Sequence, residues 1–134
     1  MIVVDSNVIV YLFLSSEQSK KAEQVLRKDS SWASPPLWRS EIRNVLTVYI
    51  RKRLLTLDAA QKIMEEAVNL MTGREFDVVS SQVLNLAAGS TCSAYDCEFV
   101  ALARDLGVSL VTVDKKILSQ FPDVAISLDQ FVTV

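Results

Sequence analysis

The chain has 134 residues, half of them hydrophobic, with three glycines, three prolines and a formal net charge of −2. It is long enough to bury a continuous core, too apolar for a disordered tail, and too acidic to hold polyanions by bulk charge alone. No apolar run reaches the length that spans a bilayer. The start, Met1-Ile2-Val3-Val4-Asp5, lacks the basic region and cleavage signal of a secretory leader. Cys92 and Cys97, with no histidine anywhere, do not make a zinc site. They read as reduced thiols, so a cytoplasmic protein with one domain over residues 1–134 is expected.

In chain order, Ile2–Val4 is a short β-rich run ending at Asp5, and Val8–Leu14 continues as a buried helix. Ser19–Arg27 is a more polar helix. Trp32-Ala33 is a weak strand, and Pro35-Pro36 suit the start of the next helix, Leu37–Arg53. Asp58–Met71 is helical, with Ala59, Ile63, Ala67 and Leu70 on one face. Phe76–Val79 is predicted as a strand, Ser81–Ala88 as a helix, and Ser93–Leu106 as a helix that Gly107 can terminate. Leu110–Val113 is a strand, Lys115–Ser119 a short helix and Val124–Ile126 a last strand. This alternation predicts an α/β fold, a parallel sheet covered by helices on both faces.

Four acids stand out against that pattern. On the Leu37–Arg53 helix, Trp38, Ile42, Val45, Leu46, Val48 and Tyr49 form one apolar arc at 100° per residue. Glu41 falls inside the arc, whereas Arg39, Arg43, Thr47 and Arg51 fall outside. On the later helix Asp96 shares the inward side with Phe99, Val100 and Ala103, and Glu98 and Asp105 point the other way. Asp5 and Asp114 each close a strand at its carboxyl end. Strand ends and the starts of the following helices share one rim of a parallel sheet, which places all four acids together.

Capping is the bland explanation. Asp5 and Asp114 are positioned as N-caps, and Ser93-x-x-Asp96 has the spacing of a capping box. Glu41 lies too deep in its helix to cap it. Capping explains three of these residues one at a time, whereas one divalent cation explains all four. At ~6 Å and an effective dielectric of ~20, each like-charged pair costs about 3 kcal/mol. Such a cluster protonates in part or recruits a cation. All-oxygen ligands select Mg²⁺ or Mn²⁺, and a hard cation in an open cleft suits phosphate chemistry; it also reverses the local sign of an acidic surface.

Four fragments carry a family likeness: Val4-Asp5-Ser6-Asn7; Ser40-Glu41-Ile42-Arg43-Asn44-Val45-Leu46; Tyr95-Asp96-Cys97-Glu98-Phe99-Val100-Ala101-Leu102-Ala103; and Leu110-Val111-Thr112-Val113-Asp114. In this order and spacing the chain resembles PIN-domain ribonucleases, in particular the small VapC-type toxins of toxin–antitoxin pairs. The resemblance implies a three-layer PIN-like fold with a parallel five-stranded sheet, a Mg²⁺ or Mn²⁺ centre, cleavage of RNA, and a protein antitoxin as partner. It implies Asp5, Glu41, Asp96 and Asp114 as the catalytic metal ligands. Ser6, Asn7 and Thr112 would steady the carboxylates or a water. Lys116 and Ile117 stand where some relatives carry a further acid, so no fifth ligand is expected. A homodimer is expected, with no membrane association.

Among the basic residues, Arg39 and Arg43 lie four apart near Glu41 and are candidates for contact with RNA or a partner, although a solvated face explains them slightly better. Lys115 and Lys116, beside Asp114, are better placed for a phosphate backbone. Trp32 and Trp38 read as core. Two other functions compete: a non-catalytic interaction domain of the same fold, and a haloacid-dehalogenase-like phosphatase. The second needs an acid two residues after its nucleophilic Asp, where this chain has Asn7.

Overall fold

Ile2, Val3 and Val4 form β1, and all three are buried, because a parallel strand in mid-sheet is covered on both faces. In the computed structural model, which describes residues 1–134, β1 leads into helices α1 (Ser6–Phe13) and α2 (Ser19–Lys28). The chain returns as β2 (Trp32–Ala33), then runs through α3 (Leu37–Arg51), α4 (Leu57–Met71), α5 (Ser80–Ala88) and α6 (Ala94–Leu106). Strand β3 (Leu110–Val111), α7 (Lys115–Gln120), β4 (Ala125–Ile126) and α8 (Leu128–Thr133) complete it. No helix is long and apolar enough to cross a membrane.

The sheet is parallel throughout, in the order β2-β1-β3-β4. Val3 pairs with Ala33 on one side and Leu110 on the other. Successive strand residues face opposite layers. Ile2, Val4, Trp32 and Val111 join one apolar cluster with residues of α1 to α4 and α8, while Val3, Ala33, Leu110 and Ala125 join a second with α5, α6 and α7. Helices therefore cover both faces, and both tryptophans are fully buried as expected. Gly107 ends α6 at φ 65°, a left-handed turn that glycine adopts at no steric cost.

Two expectations need correction. The sheet has four strands, not five: Phe76–Val79 is irregular, and only a single bridge, Ser34 to Glu75, extends the edge beyond β2. Phe76 N–H donates to Ser34 O, and there the edge ends, because Pro35 and Pro36 follow and have no N–H to continue a ladder. The C-terminal helix α8 was not anticipated, although Ser127-x-x-Gln130 is a start signal: the Ser127 hydroxyl accepts from the Gln130 N–H.

Strand order decides where a ligand can sit. From β1 the chain moves one way to β2, then crosses to the other side for β3 and β4. The reversal falls between β1 and β3, and the crevice beyond the carboxyl ends of those two strands is the switch point at which open α/β sheets bind ligands. Asp5 follows β1 and Asp114 lies three residues beyond β3.

Candidate metal centre

A cleft of about 620 Å³ opens at that switch point, lined by Asp5, Glu41, Asp96 and Asp114 together. All four are half-buried. Ser6 and Asn7 at the start of α1 also line it, as do Ser40 and Asn44 of α3 and Tyr95 of α6. None of the 12 lining residues is Lys or Arg. Glu41 and Asp96 reach the cleft from α3 and α6, and Asp5 and Asp114 from the residues just before α1 and α7, so nothing but tertiary packing unites them.

Each carboxylate is held by hydrogen bonds. Thr112, fully buried, donates its hydroxyl to Asp5 Oδ2 at 2.8 Å and accepts from the Asp114 N–H at 3.0 Å. Ser6, also buried, donates to Glu41 Oε1 at 2.7 Å. Asp114 Oδ1 accepts from the N–H groups of Lys116 and Ile117, capping α7. Asp96 and Ser93 form the reciprocal capping box at the start of α6. Capping and cleft-lining are thus not rivals for Asp96 and Asp114. Asp5 occupies the N-cap position of α1 without a side-chain cap bond.

Neighbouring acids act on both Asp5 and Glu41. Burial pushes the Asp5 carboxyl above its ordinary pKa; hydrogen bonds from Thr112 and the Asn7 backbone oppose that, and the charges of Asp114 and Asp96 add to it. Burial likewise raises Glu41, against the Ser6 hydrogen bond and reinforced by Asp5, Asp96 and Glu98. No three of the acids close on one point tightly enough to cage an ion with the side chains as they stand. Glu41, Asp96 and Asp114 each use one oxygen on protein donors and leave the other without a protein partner. Carboxylates with spare oxygens, in a cleft whose lining holds no Lys or Arg, fit a hard divalent metal in chemistry.

The four expected basic contacts stand outside the lining. Arg39 is bound to Glu75: its Nε donates to Oε2 at 2.7 Å and its Nη2 to Oε1 at 2.6 Å, while Trp38 Nε1 donates to the same carboxylate. Arg39 is therefore a structural tie rather than a free cation. Arg43 is exposed and donates through Nε to the Arg39 carbonyl. Lys115 and Lys116 are exposed beside Asp114. Ser40, Asn44 and Tyr95 line the cleft beyond the expected site residues; the first two flank Glu41 at −1 and +3 on its helix, and Tyr95 precedes Asp96.

A parallel sheet between two helical layers, with four acids at its switch point, is the arrangement expected of a PIN domain. The chain belongs to that family: the PIN domain model matches residues 2–125. It is 28% identical over 124 residues to Ribonuclease VapC3 of Pyrobaculum aerophilum, covering 90% of this chain and 95% of that protein. The fold also matches the crystal structure of PAE2754 from Pyrobaculum aerophilum, with a TM-score of 0.73 over 98% of this chain and 93% of the other. At 19% identity that second likeness is one of fold.

Proposed function

We propose that this protein is a Mg²⁺- or Mn²⁺-dependent endoribonuclease that hydrolyses RNA phosphodiester bonds, and that it is the toxin half of a toxin–antitoxin pair. The observation that carries the reading is the meeting of Asp5, Glu41, Asp96 and Asp114 in one cleft at the β1/β3 switch point. Likeness to a ribonuclease VapC along nearly the whole chain supports RNA as substrate and a protein antitoxin as partner. A cytoplasmic homodimer accords with the same reading.

Asp5, Glu41, Asp96 and Asp114 would hold the cation. When bound, it would supply a Lewis acid that lowers the pKa of an attacking water and neutralises charge developing on phosphorus. The protein's own groups set the stage. Ser6 fixes the reach of Glu41, and Thr112 fixes Asp5 and the turn into Asp114. Glu41 or Asp96 would also help orient an attacking water in line with the phosphorus.

RNA digestion with and without chelator, using the wild type and Asp96→Asn, tests the assignment. We expect cleavage by the wild type to stop on chelation and cleavage by the variant to be lost. Folding should survive, because Asn can still accept from the Ser93 N–H and the cap loses less than about 1 kcal/mol. RNA cleavage by Asp96→Asn at the wild-type rate would defeat the assignment.

A further inference from the structure

Tyr95 is the only aromatic among the exposed large apolar side chains, with 64% of its surface in solvent, and it lines the carboxylate cleft beside Asp96. It is the second residue of α6, on a turn that the Ser93–Asp96 capping box holds in place. Ser40 and Asn44 of α3 and Asn7 of α1 also border the cleft. Lys115 and Lys116 stand outside the cleft, so within the lining itself any contact to a base falls to neutral side chains.

We propose that Tyr95 is a stacking platform that seats one base of the substrate strand next to the scissile phosphate. This rests on the nuclease reading and deepens it. An aromatic ring accepts the face of any base, but only a base freed from its duplex can reach it. The polar side chains of Ser40, Asn44 and Asn7 present hydrogen-bonding groups to such a base's edge. Tyr95 is a positioning residue: it seats the strand, and the acids carry the chemistry.

The test compares Tyr95→Ala, Tyr95→Phe and Tyr95→Trp on short single-stranded RNAs, intact or with one abasic ribose at each position around the cut. For Tyr95→Ala we expect KM to rise on the order of tenfold, kcat to change little, and Phe and Trp to restore KM. One abasic position should weaken the wild type equally and weaken Tyr95→Ala no further. Because Tyr95 is exposed, melting of the alanine variant should match the wild type. Trp32 and Trp38 are fully buried, so Tyr95→Trp adds a solvent-facing fluorophore. In Ca²⁺ its emission should be quenched by intact RNA and not by RNA abasic at the sensitive position. An unchanged KM in Tyr95→Ala, or quenching that ignores the base, overturns the proposal. If the wild type leaves RNA intact with and without chelator, the nuclease reading fails by itself, and the quenching experiment still decides whether Tyr95 stacks on a base.

Discussion

Thr112 uses its one hydroxyl twice, donating to Asp5 and accepting from the Asp114 backbone, so it ties the end of β1 to the turn after β3. A buried carboxylate that loses its donor bears the cost of desolvation directly. Thr112→Val keeps the side chain's shape and removes both bonds. It should lower stability by about 1–3 kcal/mol in thermal or denaturant melts and reduce cleavage by letting Asp5 drift. Stability within about 0.3 kcal/mol of the wild type would mean that the hydroxyl is incidental. At this scale the sequence was partly legible. Glu41 and Asp96 betrayed themselves by occupying apolar stripe positions, because helical periodicity is a local property. The donors that hold the acids were not legible from periodicity: Ser6 and Glu41 lie 35 residues apart, and Thr112 and Asp5 lie 107 apart. Those partners came only through family likeness.

Among the elements, the tie between α3 and the segment after α4 carries a pH signature. The Arg39 hydrogen bond holds the Glu75 carboxyl below its ordinary pKa, against partial burial and with help from Trp38 and the Arg39 charge. A depressed folded pKa stabilises above the unfolded value, near 4.5, and that stability is lost as pH falls through the folded value. With Arg39 over a third exposed, solvent screening limits the tie to about 1 kcal/mol. Glu75→Gln should therefore melt roughly 3–5 °C below the wild type at neutral pH, with the gap narrowing below about pH 4. A gap that stays constant into acid would assign the loss to packing instead. Two departures from expectation lie beside this tie. Arg39 looked like a surface cation because its partner sits 36 residues away, and Phe76–Val79 looked like a strand because β-propensity does not report that β2 offers only one more residue to pair with.

For the molecule as a whole, the switch point gathers four acids that the unfolded chain keeps far apart, and a bound cation, on the proposed function, would relieve their repulsion. Anything that binds only the folded form raises its stability, by about 2.7 kcal/mol at a hundred times Kd. Mg²⁺ should accordingly raise the melting temperature of the wild type by several degrees, and chelator should reverse the shift. Asp5→Asn should melt at or above the metal-free wild type, since it removes one clustered charge, and should respond far less to Mg²⁺. A non-catalytic scaffold would melt at one temperature with or without the ion.

Read alone, the chain of residues determined what depends on neighbours a few positions away: every helix but α8, the four paired strands, the Gly107 stop, and which acids fall on apolar stripes. Only the tertiary structure decided what depends on distant segments meeting. Strand order placed the cleft between β1 and β3, Glu75 claimed Arg39, and α6 set Tyr95 open to solvent beside the acids. Hydrophobic period is written into each helix and strand separately, whereas a cleft is a relation among four of them and exists only once the sheet has brought their ends together.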